Sequence, residues 1–368
     1  MKPIRVGIIG AGGVAQKGHI PSYQRLRDVE VVGIYDPNKV KMDDVAKKFN
    51  IQNTFTDYRS LLELDELDVV SVCSPNFLHA EQSIASLEAE KHVLCDKPVA
   101  INTEEAEAII RAVRQSKRKF MVAFCHRFDL PFHIIKNFVD RDELGEIYYA
   151  KSSYLRRSGV PGLGSWFTTK KLSGGGPLLD IGIHMLDMSL WMMGNPEPAS
   201  VMASTYDKLR DKAVRGDWPP KSIRKWDSYT GAFDVEDLAT AIIKFKNGST
   251  LFLEASWTGY SETGLNLSLF GTKGGVEFKG VAGGAEEGRT TEFTLHKEIG
   301  GELVDLAPNI PPETRSYWDY SFPRAVKHFI ECIRTDEETI TKPQEILNSI
   351  KIVESIYASA EKGKAIEL

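Results

Sequence analysis

The sequence has no excess of positive charge and no long apolar run. Its 368 residues include 46 lysines and arginines against 51 aspartates and glutamates, which gives a net charge of −5. Binding to nucleic acid or to an anionic membrane surface needs a cluster of cations, so neither partner is predicted. No apolar stretch approaches the roughly 18 residues of a membrane span, and the first residues contain no apolar core of a signal peptide.

Cysteine is also scarce. The four cysteines are Cys73, Cys95, Cys125 and Cys332. Because none of them has C-x-x-C spacing and all lie among apolar residues, the sequence predicts neither a metal site nor a disulfide framework. We therefore expect a protein of the reducing cytoplasm that holds no metal ion.

The length of the chain predicts two domains. Hydrophobic residues make up 42% of the sequence and charged residues 26%, as is usual for soluble globular proteins. A chain of 368 residues exceeds the size at which one hydrophobic core keeps growing. The pattern changes after about residue 125, which predicts a first domain over 1–125 and a second over 126–368.

The first domain is predicted to be an α/β domain with a parallel sheet. Short β-branched runs alternate with helical segments, the pattern of strands that helices cover on both faces. Strands are expected at 5–9, 29–35, 69–73, 92–94 and 120–123. Helices are expected at 39–49, 79–88 and 103–116. These elements form one unit of the size that binds a dinucleotide.

The second domain is predicted to be an α/β domain with a large, mainly antiparallel, open-faced sheet. Its strands are expected at 146–156, 200–205, 238–245, 249–258, 265–270 and 291–296. Asn247 and Gly248 predict a type I′ hairpin, in which both central residues have φ > 0. Helices are expected at 131–140, 177–193, 322–334 and 343–362. The stretch from Asp207 to Phe233, rich in charge, proline and tryptophan, is interpreted as an insertion loop.

A glycine-rich turn after the first strand predicts a nucleotide site. Its residues are Gly10, Ala11, Gly12, Gly13, Val14 and Ala15. Gly10 permits a tight turn, Gly12 lets the backbone approach a pyrophosphate, and Ala15 allows close packing of strand and helix. Asp36 ends the second strand, where a carboxylate binds the adenosine ribose and repels a 2′-phosphate, so NAD is favoured over NADP. A packing turn and a turn-forming aspartate are the alternative interpretations.

Two further strand ends carry candidate cofactor ligands. The third predicted strand is followed by Ser74, Pro75, Asn76 and His79, and the fourth by Asp96, Lys97 and Pro98. Ligands of open α/β sheets bind at the carboxyl ends of strands, so these polar side chains are expected to face the cofactor. Pro98 fixes the backbone after Lys97 and holds the ammonium in place. Helix capping is an alternative explanation of Asn76, and strand termination is one of the Lys-Pro pair.

The helix predicted at 177–193 carries the candidate catalytic groups. The triplet Gly174–Gly176 precedes Pro177 and is expected to let the chain pass close to a ligand. Asp180, His184 and Asp187 are spaced so that they share one face of an otherwise apolar helix. A buried histidine with an orienting acid suits general acid/base chemistry, and a hydrogen-bonded core network is the alternative.

Together the two groups of residues predict oxidation of a secondary alcohol by a nicotinamide cofactor. We assign His184 as the general base, Asp180 as the acid that orients its ring, and Lys97 as the donor to the reacting oxygen. Substrate contacts are expected from Lys97, Asp180, His184, Tyr154, Arg156 and Trp166. Aromatic faces and cationic donors suit a sugar or a sugar acid, although the last three are equally compatible with a surface or interface.

These motifs resemble those of the Gfo/Idh/MocA oxidoreductases, the family of glucose-fructose oxidoreductase and inositol dehydrogenase. The resemblance covers essentially all 368 residues and includes the glycine turn, Ser74 to Asn76, Asp96 to Pro98, Arg127-Phe128, and Gly174 to Asp187. It implies a Rossmann domain, a second α/β domain that forms homodimers or homotetramers through its sheet, and NAD(P)-dependent action on sugars or cyclitols. It also implies catalytic roles for Lys97, Asp180 and His184. Arg127 is assigned to the cofactor site, and Asp96 stands where Glu is more common.

Other functions stay open at this point. Some relatives in the family resemble glycosidases or isomerases that use bound NAD without net redox. A non-catalytic NAD- and sugar-sensing regulator is the alternative from another class, and the intact set of Lys97, Asp180 and His184 argues against it. Asn38 and Lys39 beside Asp36 leave NADP as an alternative cofactor.

Overall fold

Two β-sheets organise the computed structural model of this protein. The structure describes residues 2–209, 233–280, 292–311 and 317–368. The insertion loop predicted from Asp207 to Phe233 therefore lies almost wholly outside the described residues. The predicted domain boundary at residue 125 stays a prediction, although it coincides with the transition from one sheet to the other.

The first sheet has six parallel strands in the order β3-β2-β1-β4-β5-β6. Its strands are β1 (Ile4–Ile9), β2 (Val29–Tyr35), β3 (Asn53–Phe55), β4 (Val69–Val72), β5 (His92–Cys95) and β6 (Phe120–Val122). Its helices are α1 (Ile20–Gln24), α2 (Lys39–Phe49), α3 (Tyr58–Leu62), α4 (His79–Glu88) and α5 (Thr103–Ser116). The predicted parallel α/β domain is confirmed, and the short, largely exposed edge strand β3 is an addition to it.

The second sheet has nine strands in the order β14-β13-β12-β11-β7-β10-β9-β8-β15. Its strands are β7 (Ile147–Leu155), β8 (Pro198–Tyr206), β9 (Leu238–Phe245), β10 (Thr250–Ser256), β11 (Gly264–Gly271), β12 (Gly274–Gly280), β13 (Glu292–Ile299), β14 (Glu302–Leu306) and β15 (Ile366–Glu367). Strands β7 and β10 pair in parallel, and the other neighbours are antiparallel. The mainly antiparallel sheet is thus confirmed, and the glycine-rich β12 is one of the strands that the pattern did not predict.

The remaining helices follow the first sheet in the chain, and some of them pack on the second sheet. They are α6 (Leu130–Asp140), α7 (Lys170–Ser173), α8 (Ile183–Met192), α9 (Phe322–Thr335) and α10 (Pro343–Lys362). The helix predicted at 177–193 is divided, because a π-helical turn (Leu178–Gly182) precedes α8. Two more π-helical turns are Ala15–His19 and Tyr317–Ser321, and 3₁₀ turns lie at Asn76–Leu78, Cys125–Phe128 and Trp166–Thr168.

The hairpin predicted at Asn247 and Gly248 joins β9 to β10, but its turn is not of type I′. Gly248 alone of the two has a positive φ, at 88°. Its N–H donates to the Phe245 carbonyl at 2.9 Å, and the Phe245 N–H donates to Ser249 at 3.0 Å. This is the longer hairpin in which a turn is followed by one left-handed residue.

Helix α9 belongs to the core of the first sheet, although it follows the second sheet in the chain. Its side chains Phe322, Phe329 and Ile330 are fully buried in one cluster with Ile8 of β1 and Ile34 of β2. The core of the nucleotide-sized sheet is therefore completed by residues from the last fifth of the chain.

Candidate active site

The glycine turn lies at the carboxyl edge of the first sheet, and its two leading glycines are needed for different reasons. Gly10 has a φ of 99°, and a Cβ there would lie 2.8 Å from the Cys73 carbonyl group. A Cβ on Gly12 would meet nothing nearer than the Cys73 oxygen at 4.0 Å. Protein packing therefore requires Gly10, whereas the open space beside Gly12 fits the close approach of a dinucleotide.

Asp36 is buried against this turn. Its Oδ2 accepts a hydrogen bond from the Ala11 N–H at 2.9 Å, and its Oδ1 accepts one from the Asn38 N–H at 2.9 Å. Lys41 forms an ion pair with Oδ2 at 2.9 Å. The carboxylate is held at the end of β2, where an adenosine ribose fits next to the glycine turn.

The polar side chains after β4 form hydrogen bonds to other parts of the protein. The Asn76 Nδ2 donates to the Ser173 carbonyl at 2.8 Å, and the Ser74 Oγ donates to Gln82 at 2.6 Å. The ring nitrogens of His79 contact the Ser74 and Pro98 carbonyl oxygens at 2.8 and 2.6 Å. This corrects the prediction that the His79 ring binds the cofactor, because its polar atoms are already used to fix the two neighbouring strand ends.

Lys97 follows β5 and meets Asp180 from the π-helical turn. Its ammonium donates to the Asp180 carbonyl at 2.6 Å and to Oδ1 of the same residue at 3.0 Å. The Trp257 indole donates to the other carboxylate oxygen at 2.9 Å. Burial alone would raise the pKa of Asp180, but the charges of Lys97 and Arg156 outweigh it and hold the pKa below its usual value.

His184 lies next to this pair without a carboxylate partner. Its Nδ1 is buried and has no hydrogen-bond partner in the described structure. The Asp180 oxygens accept hydrogen bonds from Lys97 and Trp257 and none from His184 in the described structure, so the orienting role of Asp180 stays a prediction. Burial, followed by the positive charge of Lys97, lowers the pKa of His184 well below its usual value. The imidazole is therefore uncharged at neutral pH.

Arg156 and Trp257 reach Asp180 because their strands are parallel neighbours. Leu155 of β7 is paired with Ser256 of β10, so the next residue of each strand emerges at the same edge. The Arg156 guanidinium lies 5.5 Å from the Tyr154 ring centre, and its charge acts on Asp180. The sequence pattern indicated Arg156 and Tyr154 but missed Trp257, because the pairing of β7 with β10 leaves no local signal.

Two other predicted residues complete this region. Trp166 stacks on Phe167 with ring centres 3.9 Å apart, in the loop after β7. The Asp96 carboxyl precedes Lys97, and burial raises its pKa to about 6 even though the Lys97 charge opposes the shift.

Arg127 occupies a buried ion network instead of the cofactor site. Its side chain is 1% exposed, and its Nε and Nη2 donate to the two Asp187 oxygens at 3.0 and 2.7 Å. Its Nη1 donates to Glu345 and to the Ile340 carbonyl, each at 2.8 Å. The assignment of Arg127 to the cofactor is corrected, because every guanidinium nitrogen already donates to the protein.

The glycine triplet before Pro177 is required by packing against α10 and the start of β9. A Cβ on Gly175 would lie 1.9 Å from the Tyr357 hydroxyl, and one on Gly176 would lie 2.2 Å from the Glu236 carbonyl oxygen. The buried Glu236 carboxylate accepts hydrogen bonds from the Gly176 N–H at 3.0 Å and the Tyr357 hydroxyl at 3.0 Å. The triplet thus fixes the start of the turn that carries Asp180, and the expectation that it passes close to a ligand stays a prediction.

The described ranges contain neither a metal site nor a helix that could span a membrane. No group of three or more His, Cys, Asp or Glu residues there is arranged to hold a metal ion. The helices of the same ranges are all too short or too polar to span a membrane.

Comparisons with known proteins agree with the two sheets. Residues 4–124 match the profile of an oxidoreductase family with an NAD-binding Rossmann fold, and residues 136–368 match the C-terminal α/β domain of that family. The chain is 34% identical to D-glucoside 3-dehydrogenase of Escherichia coli (strain K12), across 100% of this chain and 98% of that protein.

Levoglucosan dehydrogenase of Pseudarthrobacter phenanthrenivorans is 30% identical over 76% of this chain and 74% of its own length. A solved structure of levoglucosan dehydrogenase with NADH shares the fold, with a TM-score of 0.83 at 23% identity over 99% of both chains. The chain therefore belongs to the Gfo/Idh/MocA family of oxidoreductases, as the motifs indicated, and its first sheet is the NAD-binding Rossmann domain of that family.

Proposed function

We propose that the protein oxidises a secondary hydroxyl group of a sugar, glycoside or cyclitol with NAD. The observation that carries the proposal is the Lys97 ammonium, bound to Asp180 beside an uncharged His184 at the carboxyl edge of the NAD-binding sheet. Two relatives, named as dehydrogenases of D-glucosides and of levoglucosan, support a carbohydrate substrate.

The residues present fit NAD. The backbone N–H groups after Gly12 would hold the pyrophosphate, and Asp36 would accept hydrogen bonds from the adenosine ribose. When bound, NAD supplies the acceptor for the hydride that leaves the alcohol carbon.

Lys97 is arranged to bind the reacting oxygen. An ammonium group has three N–H donors, and two of them are used on the carbonyl and carboxylate of Asp180. The third remains for the hydroxyl oxygen of the substrate, whose proton becomes more acidic when a cation binds the oxygen. Asp180 and Trp257 keep the ammonium from rotating away from this position.

His184 is the group that accepts the hydroxyl proton. A general base must be unprotonated, and the lowered pKa of His184 keeps the imidazole neutral at physiological pH. The hydroxyl proton passes to a ring nitrogen of His184 while the carbon loses its hydride, and the carbonyl product remains hydrogen-bonded to Lys97.

The test is the absorbance of NADH at 340 nm while purified protein and NAD are offered D-glucosides, levoglucosan, free aldoses and inositols. We expect one class to give NADH. Lys97→Met and His184→Ala should each lower kcat by about 100- to 10,000-fold, the usual contribution of a positioned acid or base. NADH binding, followed by fluorescence, should stay within a few-fold of wild type in both variants.

Two outcomes would contradict this function. NADH binding without turnover of any sugar would favour a sensing role. Release of free sugar from a glycoside, with no accumulation of NADH, would favour a glycosidase that uses NAD internally. Wild-type turnover in both variants would leave the reaction intact but would remove Lys97 and His184 from its mechanism.

We also propose that the protein assembles into homodimers or homotetramers through the outer face of the second sheet. Met202 of β8 and Ile242 of β9 face each other in register and are 46% and 45% exposed. An Ile242→Lys variant should lower the mass that light scattering measures, and a monomeric wild type would refute the assembly.

Four free, buried cysteines support a cytoplasmic location, which cell fractionation checks.

A further inference from the structure

The ring of a second histidine lies against His184. The ring of His126 meets the ring of His184 edge-on, with centres 4.9 Å apart and planes at 87°. Since Asp180 is bound to Lys97 and Trp257, this contact takes the place that an orienting acid was expected to fill.

His126 is itself held by an acid. Its Nδ1 lies 2.6 Å from Oδ2 of Asp129, so Nδ1 carries the proton that the carboxylate accepts. Asp129 occupies the position before the first residue of α6, where an aspartate usually caps the helix, yet its side chain makes no capping hydrogen bond. The other carboxylate oxygen is buried and has no hydrogen-bond partner in the described structure. The acid is therefore committed to His126.

The His126–Asp129 pair is more exposed than His184. The side chains of His126 and Asp129 are 14% and 20% exposed, while His184 is 7% exposed. Tyr317 closes the other side of His126, with ring centres 4.8 Å apart. Water therefore screens the interaction between His126 and His184 only in part.

Several charged or titratable groups act on the two histidines from the elements packed around them. They are Lys97 after β5, Arg156 after β7, Asp129 before α6, Tyr317 from the π-helical turn, and Asp96, Cys125, Asp180 and Asp187 nearby. Burial lowers the pKa of His184 most, and Lys97, His126 and Arg156 act in the same direction.

We propose that His126, held by Asp129, is a positioning residue that fixes the ring plane of His184 and sets the pH range in which His184 accepts a proton. The inference rests on the proposed function and adds to it a residue that does not touch the reacting atoms. Two effects are separable, because the ring contact needs an aromatic edge and the electrostatic effect needs the imidazole.

The variants His126→Phe, His126→Ala and Asp129→Asn separate these effects. His126 opposes protonation of His184, so loss of its imidazole should move the acid limb of kcat/KM to higher pH. His126→Phe keeps an aromatic ring and should lower kcat less than tenfold. His126→Ala should lower kcat by about 10- to 100-fold, the cost of a misplaced catalytic group. Asp129→Asn removes the carboxylate that holds the His126 ring and should lower kcat as well.

His133→Phe is the matched control. His133 is a half-buried histidine of α6 that packs on Phe128 and Trp191, away from His184. This variant should keep the wild-type kcat and acid limb.

A second measurement does not depend on turnover. In protein with labelled histidine, NMR titration of the His184 ring should show protonation at a higher pH in His126→Phe than in wild type, with NADH affinity unchanged. Identical His184 titrations in wild type, His126→Phe and Asp129→Asn would overturn the proposal, even if kcat falls. Absence of turnover in wild type, together with a shifted titration, would instead refute the proposed reaction and keep the His126 assignment.

Discussion

Replacing Arg127 should cost stability and leave the cofactor site intact. In Arg127→Met, the Asp187 carboxylate loses both of its guanidinium donors while its side chain stays 5% exposed. Removal of one member of a buried ion pair typically costs about 3 to 5 kcal/mol, because the remaining charge is left without a partner. The second carboxylate that pairs with Arg127, that of Glu345, adds less to the loss of stability, since its side chain is 17% exposed and water reaches it.

The assay is urea unfolding followed by tryptophan fluorescence. With an m value of about 3 kcal/mol/M, the midpoint of Arg127→Met should fall by roughly 1 to 1.7 M. The control Arg59→Met breaks an exposed ion pair with Glu81 and should lower the stability by less than about 1 kcal/mol. The double variant Arg127→Met/Asp187→Leu removes the unpaired charge and should recover much of the loss.

The pH dependence of the same variant tests the cause. Burial raises the pKa of Asp187, and Arg127 opposes the shift, so the pKa rises further when Arg127 is removed. Below that raised pKa the carboxyl is neutral and its burial costs little. The difference in stability between wild type and Arg127→Met should therefore shrink as the pH falls. An unchanged midpoint combined with a tenfold weaker NADH affinity would refute the reasoning and restore Arg127 as a cofactor ligand.

Three further predictions concern the site. Gly12→Ala should unfold like wild type but bind NADH at least tenfold more weakly. Gly10→Ala should instead lose several kcal/mol of stability, because its Cβ would clash with the backbone. Urea unfolding and a fluorescence titration with NADH, done on both variants, would show the difference. Trp257→Phe removes one hydrogen bond from Asp180 and should lower kcat about tenfold with an unchanged KM for NAD; an unaltered kcat would remove the indole from the positioning of Lys97. Glu236→Gln should lower kcat without weakening NADH binding, because it loosens the start of the turn that carries Asp180. An equal loss of kcat and of NADH affinity would place Glu236 in the cofactor site.

Local patterns predicted the parts of the fold that depend on neighbours in sequence. The glycine turn, Asp36 at the end of β2 and Lys97 after β5 follow from short motifs, because the carboxyl ends of parallel strands share one edge. The mainly antiparallel second sheet was predicted from the change in periodicity after about residue 125.

The partners of the catalytic residues could not be predicted in the same way. Helical spacing placed Asp180 and His184 on one face, but the Asp180 carboxylate is bound by Lys97 and Trp257, which come from other parts of the chain. Tertiary packing brings Trp257, Glu236 and His126 to the site. Such packing produces no recognisable spacing of residues in the sequence. The Arg127 motif was recognised, but its charge partners lie 60 and 218 residues away.

The position of α9 has a consequence for biosynthesis. A ribosome releases the six strands of the Rossmann sheet long before it makes Phe322, Phe329 and Ile330, which fill the core beside Ile8 and Ile34. The newly made first domain therefore carries an exposed apolar face while some 200 further residues are added, and such a face is a site for chaperones or for aggregation. A truncated gene product that stops after β6 would keep every nucleotide-binding motif and still lack the helix that closes its core.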